Sequence, residues 1–260
     1  MEQQLMKDKV VLVTGGNSGI GLGTARRLVE EGAFVYITGR RKDALDKAVA
    51  TLGERARAVR ADVTVKAELQ HVADVIRAGH GRLDVLFANA GGGGFIALED
   101  ITEEDFDRSF GVDVKGVLFT VQAALPLMGK GGSIVVNTSI TAQMGMPNFS
   151  LYAAGKAALR SFVRTWANEL RTRGIRVNAI APGVVPTEGY GKEMGWSEAY
   201  VQAYIGRVAN EIPVGRVGAV EDIGNAVIYL SSPLGSFVNG FELVVDGGMI
   251  QVYQGKNGAE

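Results

Sequence analysis

The chain has 260 residues, of which 47% are hydrophobic and 21% charged, a balance typical of a soluble globular protein that can bury a large core. A formal net charge of −1, with no basic cluster beyond Arg40–Arg41–Lys42, argues against nucleic acid or an anionic membrane as a partner. The absence of cysteine excludes disulfides, thiolate metal sites and a cysteine nucleophile.

Two further features concern metals and location. His71 and His80 form no metal-binding signature, so we expect no metal site and predict both side chains to lie at the surface. The N-terminal MEQQLMKDK lacks the apolar stretch and cleavage site of a signal peptide, and no apolar run approaches the length of a membrane span. We therefore expect a cytoplasmic protein without a membrane partner.

The stretch KVVLVTGGNSGIG predicts a strand, a glycine turn and a helix. Val10–Val13 is apolar and β-branched, as expected of a parallel strand buried on both faces. Gly15, Gly19 and Gly21 then lead into an amphipathic helix that starts near Ile20. A helix N-terminus offers free N–H groups, and glycines let a pyrophosphate approach them closely. The pattern therefore favours a nucleotide phosphate site, although a purely structural glycine turn is equally common.

The glycine spacing is TGxxxGxG, not the more widespread GxGxxG. In this respect the chain resembles the classical short-chain dehydrogenases/reductases. The resemblance runs from Lys9 to about Gly248, nearly the whole chain, and it also includes an NAG motif and a Tyr-x-x-x-Lys pair with a serine at the family's spacing.

The second predicted strand, Phe34–Thr38, ends at Gly39-Arg40-Arg41. In dinucleotide folds an acid near this point binds the ribose hydroxyls of NAD, whereas a basic residue suits the 2′-phosphate of NADP. The first acid here is Asp43. We therefore predict that Arg40 and Arg41 favour NADP(H), with NAD(H) possible and with solvated loop charges as the alternative.

The next elements are a helix to about Leu52, for which Asp43 is the expected N-cap, and a third strand, Arg57–Arg60. Asp62 and Val63 follow that strand. The resemblance implies that Asp62 contacts the adenine ring, whereas the residues alone also allow a turn or capping aspartate.

A helix over Lys66–Ala78, closed by Gly81, precedes a fourth strand at Leu83–Phe87. Asn89-Ala90-Gly91 then matches the family's NAG motif beside the cofactor, where the asparagine also ties loop backbones together. Gly91 to Gly94 are four consecutive glycines, which we expect to permit close backbone approach.

A helix is predicted from Thr102, with acids in its first turn, to about Leu127, kinked near Gly116. In the family an asparagine usually stands where this chain has Asp113, and it helps to hold a water that links the catalytic lysine to solvent. The aspartate adds a charge. We expect this charge to partly cancel the pull of the lysine on the catalytic phenol.

Ser139 follows a fifth strand, Ser133–Thr138, and Tyr152 and Lys156 lie one turn apart on a long helix, Ser150–Leu170. A phenol ionises near pH 10, and a nearby cation favours the phenolate. The resemblance makes Tyr152 the acid-base group, Lys156 the cation that tunes it, and Ser139 the partner of the substrate oxygen. Asp113 completes this catalytic set.

A sixth strand, Arg176–Ala181, runs into Pro182-Gly183-Val184-Val185-Pro186-Thr187, similar to the family's stretch beside the nicotinamide carboxamide. Residues 186–214 are the expected substrate lid, with a helix over Ser197–Asn210. Candidate pocket residues, some of which are equally suited to lid core or subunit contact, are Gln143, Met144, Met146, Tyr190, Met194, Trp196, Tyr200 and Tyr204. A last helix, Glu221–Leu230, and a last strand, Phe241–Val245, complete the chain.

This alternation predicts an α/β fold: a single domain over residues 1–260 with a Rossmann-type, doubly wound, parallel seven-stranded sheet in a three-layer α/β/α sandwich. The residues expected to contact the cofactor are Gly15, Asn17, Ser18, Gly19, Ile20, Gly21, Arg40, Arg41, Asp62, Val63, Asn89, Ala90, Gly91, Tyr152, Lys156, Pro182, Gly183, Val185 and Thr187.

The implied function is an NADP(H)-preferring oxidoreductase that interconverts a secondary alcohol and a ketone. Two alternatives are a cofactor-binding regulatory protein that has lost turnover, suggested by Asp113, and a lyase or epimerase on the same fold. The resemblance also implies a homotetramer built through the two long helices and the last strand. Phe110, Leu118, Phe162 and Trp166 are more apolar residues than one buried face needs, which is consistent with a partner.

Overall fold

The computed structural model describes residues 4–190 and 195–252. Seven parallel strands form one sheet in the order β3-β2-β1-β4-β5-β6-β7. They are Val10–Val13 (β1), Phe34–Gly39 (β2), Ala56–Arg60 (β3), Val85–Ala88 (β4), Ser133–Asn137 (β5), Arg176–Pro182 (β6) and Glu242–Val245 (β7). The strand order reverses between β1 and β4, so the sheet is doubly wound and the predicted fold is confirmed.

Helices cover both faces of the sheet. The helices are Gly19–Glu30 (α1), Lys42–Leu52 (α2), Lys66–His80 (α3), Glu103–Phe110 (α4), Val117–Ala124 (α5), Ser150–Glu169 (α6), Glu198–Ala209 (α7) and Val220–Ser231 (α8). One core packs α3, α5 and α6 on the sheet, and a second packs α1, α2 and α8 on the opposite face. Strands β1, β4 and β5 are buried along their whole length, as their apolar sequences predict.

Most predicted boundaries agree with the structure within about two residues. The predictions for two side chains, those of Asp43 and His80, are wrong. The N-cap of α2 is Arg41, and Asp43 lies inside the first turn, where its carboxylate still faces the positive end of the helix dipole. His80 is half-buried instead of lying at the surface, because its Nδ1 is 2.8 Å from the Tyr36 hydroxyl and its ring packs on Phe34.

The helix predicted over Thr102–Leu127 is interrupted by a π-helical segment, Gly111–Gly116, between α4 and α5. The expected kink is therefore a local widening of the helix that begins five residues before Gly116. Thr102 is the N-cap of α4, and it forms a reciprocal capping box with Asp105.

The prediction that no apolar run approaches the length of a membrane span is wrong as well. Glu103–Leu127 is long and apolar enough to cross a bilayer by length and composition alone. A core helix of a globular protein passes the same test, and here Val117, Val121, Ala124 and Leu127 are part of the core against the sheet.

Candidate active site

A cavity of about 520 Å³ lies at the carboxyl ends of the strands. Every residue expected to contact the cofactor lines it, and so does Ser139. Asp113 does not line the cavity and lies buried behind Lys156. Parallel α/β sheets place their ligand at this edge, where the strand order reverses.

The glycine turn forms the floor of the cavity at the start of α1. Gly15 has a positive φ of 65°, and a Cβ on Gly21 would lie 2.2 Å from the Gly15 carbonyl oxygen, so both positions require glycine. The first turn of α1 contains no acidic residue that would repel an anion. These features fit a pyrophosphate, and the residues present therefore fit a dinucleotide.

Arg40, Arg41 and Asp62 line the cavity where β2 and β3 end. Arg40 and Arg41 are exposed at the rim, and the Arg40 carbonyl accepts a 3.0 Å hydrogen bond from Arg60 Nε. Burial opposes ionisation of Asp62, but hydrogen bonds from Thr64 and the charge of Arg40 outweigh it, so the pKa of Asp62 lies below its ordinary value. Asp62 thus accepts hydrogen bonds within its own turn and also lines the cavity.

Asn89 ties three strand ends together beneath the cavity. Its side-chain Nδ2 donates to the Thr14 carbonyl at 2.9 Å, and its Oδ1 accepts from Asn137 Nδ2 at 2.9 Å. Thr14 Oγ1 accepts in turn from the backbone N–H groups of Asn89 and Ala90, each at 3.0 Å. The NAG motif therefore connects the ends of β1, β4 and β5 in this chain.

Tyr152 and Lys156 lie on successive turns of α6, as their spacing predicts. Tyr152 is half-buried, and Lys156 Nζ is 5.3 Å from the centre of its ring. Lys156 is 3% exposed, and its ammonium donates to the Asn137 carbonyl at 3.1 Å. The phenol and a buried cation therefore share one end of the cavity.

Asp113, in the π-helical segment, is fully buried, and its Oδ1 lies 3.1 Å from Lys156 Nζ. The same oxygen accepts a 3.3 Å hydrogen bond from the Gly92 N–H. Burial alone would lower the pKa of Lys156, but the charge of Asp113 and the Tyr152 phenol outweigh it, and the pKa is raised. The lysine is therefore held as an ammonium inside a buried ion pair.

Gly91 is needed at this ion pair. A Cβ at Gly91 would lie 2.4 Å from Asp113 Oδ1 and 2.9 Å from Lys156 Nζ. The glycine-rich loop is thus more than permissive at this position, because any side chain there would displace the pair.

Ser139 lies directly after β5, and its Oγ accepts a 3.2 Å hydrogen bond from the Thr141 N–H. The hydroxyl proton therefore remains available to a ligand in the cavity. Glu242 on β7, which the sequence does not single out, supports this loop: Oε1 accepts from Thr138 Oγ1 at 2.7 Å and Oε2 from Gln143 Nε2 at 2.8 Å. Its carboxylate also pairs with Arg160 on α6.

Comparison with known proteins supports the same interpretation. A family model described as enoyl-(acyl carrier protein) reductase matches residues 15–250. Oxidoreductase asL5 of Sarocladium schorii is 41% identical over 251 residues, covering 96% of this chain and 98% of that protein. This chain belongs to the short-chain dehydrogenase/reductase family.

Two further relatives of this short-chain dehydrogenase/reductase extend the comparison. Hydroxynaphthalene reductase-like protein Arp2 of Metarhizium majus is 37% identical over 261 residues, covering 93% of this chain and 95% of the relative. The crystal structure of a short-chain dehydrogenase from Burkholderia cenocepacia in complex with NADP is 33% identical, covers 94% of this chain and 99% of its own, and has a TM-score of 0.85. The chain is thus an oxidoreductase of this family, with a nicotinamide cofactor.

At the end of the cavity beside Tyr152, this short-chain dehydrogenase/reductase differs in part from the sequence prediction. Met146, Tyr190, Trp196 and Tyr204 line the cavity, whereas Gln143, Met144 and Tyr200 do not. The amide of Gln143 is held by Glu242, and Tyr200 is half-exposed against Trp196. Met194 lies outside the described residues.

Sequence reasoning missed Phe95 and Phe149, which line the same cavity. Phe95 follows the glycine loop, and Phe149 immediately precedes α6. Phe149 could have been predicted from the sequence, because a residue three positions before Tyr152 brings its ring close to the Tyr152 ring.

Proposed function

We propose that this protein is an NADP(H)-preferring reductase that interconverts a ketone and a secondary alcohol. The observation that carries the proposal is the buried Asp113–Lys156 pair beside Tyr152, at the end of a cavity whose other end carries Arg40. The assignment of Ser139, Tyr152 and Lys156 as catalytic, and of residues 186–214 as the substrate lid, belongs to this proposal.

The proposed role of each side chain follows from its charge and its capacity to donate or accept a hydrogen bond. When bound, a nicotinamide would supply or accept the hydride. Tyr152 donates its phenolic proton to the carbonyl oxygen during reduction and takes it back during oxidation. Ser139, whose Oγ already accepts from Thr141, donates its proton to the same oxygen. Lys156 contributes a fixed positive charge that favours the phenolate.

The test is ketone-dependent consumption of NADPH, followed by its absorbance, across cyclic, aromatic and acyl-chain ketones. We expect turnover with at least one class and a secondary alcohol as the product. A protein that binds NADPH tightly but reduces none of them would support the regulatory alternative. Release of a product without net change in NADPH would instead support the lyase or epimerase alternative.

Support for NADP over NAD comes from Arg40 at the rim of the cavity and from the NADP complex of the Burkholderia cenocepacia relative. Arg40→Ala should weaken NADPH binding by roughly tenfold or more and NADH binding little, because a charge-assisted hydrogen bond to phosphate is lost with only one of them. Calorimetric titration of both cofactors measures this ratio.

Lys42→Ala is the matched control for Arg40→Ala. Lys42 carries the same charge two residues away, pairs with Asp46 and does not line the cavity. An equal loss for NADPH and NADH in Arg40→Ala, or an NADPH-selective loss in Lys42→Ala, would contradict the assignment of Arg40.

We further propose a cytoplasmic homotetramer. Trp166 gives no support, because it is buried within the protomer. Support comes instead from the surface around β7 and the end of α8, where Tyr229, Leu234, Phe237 and Phe241 are exposed. We expect sedimentation at micromolar concentration to give the mass of four chains, and a monomer would overturn the proposal.

A further inference from the structure

The end of the cavity beside Tyr152 is lined by aromatic rings from separate parts of the chain. Phe95 comes from the segment after β4, and Phe149 from the residue before α6. Tyr190, Trp196 and Tyr204 come from the part of the chain that follows β6. We refer to these five residues as the aromatic chamber.

The rings of the aromatic chamber contact one another in the arrangements that aromatic pairs prefer. Phe95 is 4.2 Å from Phe149, centre to centre, and is stacked on Trp196 at 5.8 Å with an angle of 19°. Trp196 lies 5.0 Å from Tyr204 and meets Tyr190 edge-on at 6.1 Å.

Phe149 connects the chamber to the reaction centre. Its ring meets that of Tyr152 edge-on, 5.5 Å apart at 83°. A ligand whose carbonyl reaches the Tyr152 hydroxyl therefore places the rest of its skeleton among these rings.

No residue of the aromatic chamber carries a charge, and Arg207, whose guanidinium lies 5.6 Å from the centre of the Tyr204 ring, does not line the cavity. Among the described residues that line the cavity, those with formal charges are Arg40, Arg41, Asp62 and Lys156. The first three lie at the ends of β2 and β3, on the side of the glycine turn, and the charge of Lys156 is balanced by Asp113. Burial, with a contribution from neighbouring tyrosines, raises the pKa of Tyr190, so its hydroxyl stays neutral and able to donate.

We propose that the substrate is an uncharged, flat aromatic ketone, whose ring system stacks in the aromatic chamber while its carbonyl lies at Tyr152. This inference rests on the proposed carbonyl reduction. A flexible acyl chain would gain burial from the same walls but could not use their stacking geometry, and a carboxylate, phosphate or ammonium would meet no counter-charge there.

The experiment compares β-tetralone with β-decalone. Both have the same bicyclic skeleton and an unconjugated ketone, and only β-tetralone contains an aromatic ring. We expect kcat/KM for β-tetralone to exceed that for β-decalone by roughly tenfold, the scale of an aromatic contact beyond simple burial. S-acetoacetyl-N-acetylcysteamine, an uncharged acyl thioester, should be reduced less efficiently than β-tetralone.

Two variants on α7 locate the effect. Tyr204→Leu should lower the β-tetralone to β-decalone ratio, because Tyr204 is one of the rings that line the chamber. Gln202→Leu is the control, since Gln202 is exposed on the same helix and lies outside the cavity, and its ratio should stay at the wild-type value. Equal use of the two ketones by the wild-type protein, or preference for the thioester, would overturn the inference.

A binding measurement separates this inference from the proposed function. Calorimetric titration with β-naphthol, a flat bicyclic that cannot be reduced as a ketone, in the presence of NADP should give binding that Tyr204→Leu weakens and Gln202→Leu does not. If no ketone of any of the three classes is reduced, the proposed function fails, and this titration alone decides whether the aromatic chamber binds a flat aromatic ring system. Lack of β-naphthol binding would then overturn the inference.

Discussion

Tyr152→Phe should lower kcat by roughly 10²–10⁴-fold while leaving cofactor binding intact, because the ring is kept and only the proton donor is removed. The ring is held edge-on by Phe149, and its hydroxyl has no part in that contact. Steady-state rates with the best ketone, and NADPH titration of the same preparation, measure the two effects separately.

Ser150→Ala is a suitable control for Tyr152→Phe. Ser150 is the exposed first residue of α6, so the variant loses a hydroxyl on the same helix without touching the cavity. Its rate should match the wild type. An active Tyr152→Phe enzyme would eliminate the acid-base assignment, and with it the proposed mechanism.

The second large effect concerns the buried pair of Asp113 and Lys156. Asp113→Leu should destabilise the fold by about 3–5 kcal/mol at neutral pH, because it leaves a buried ammonium without its counter-charge. Asp113→Asn should cost less, since an amide oxygen can still accept from Lys156 and from the Gly92 N–H. Denaturant unfolding of the three proteins gives the comparison.

The pH dependence has a definite sign. In the wild type the pKa of Lys156 is raised above its ordinary value of 10.5, so its stabilisation is complete below that value and is lost only as pH rises through the folded-state pKa. In Asp113→Leu the charge of Asp113 no longer opposes burial, which lowers the pKa of Lys156. The unfolded chain then binds more protons than the folded one between that lowered pKa and about pH 10.5. The stability of this variant should therefore rise from neutral pH to about pH 10, relative to wild type.

Catalysis gives an independent measure of the same pair. Asp113→Asn removes the charge that partly cancels the pull of Lys156 on the phenol, so the pH profile of alcohol oxidation should shift to lower pH. A profile identical to the wild type would rule out the charge argument and leave the role of Tyr152 untouched. A flat stability difference between Asp113→Leu and wild type across this range would show that removal of Asp113 does not lower the pKa of Lys156.

Much of this architecture could be predicted because its signals are local. A β-branched run such as Val10–Val13 is both a strand and a buried strand, and Tyr152 and Lys156 meet because four residues make about one helical turn. Each motif of the cavity floor comes directly after a predicted strand. Because the carboxyl ends of parallel strands lie at one edge of the sheet, the sequence alone predicts that these residues lie close together.

The contacts that escaped prediction are those in which distance along the chain gives no guide. Glu242 reaches Thr138 and Gln143 from the opposite edge of β6, about one hundred residues away in the chain. The position of Asp113 depends on the π-helical segment, whose wider turn shifts every later side chain relative to a regular helix. The regular periodicity of an α-helix does not predict that shift, so Asp113 could be identified only through the resemblance to the family.

The ties that Asn89 makes among Thr14, Asn137 and their strands have a thermodynamic consequence. These hydrogen bonds hold the floor of the cavity in place without a ligand, so we expect little binding free energy to be consumed in ordering it. Affinity for the cofactor should therefore be set by contacts at the rim, where Arg40 is exposed, and loosening the floor through Asn89 would weaken every dinucleotide alike. Discrimination between cofactors and general affinity are thus separable properties of this fold, held by different residues.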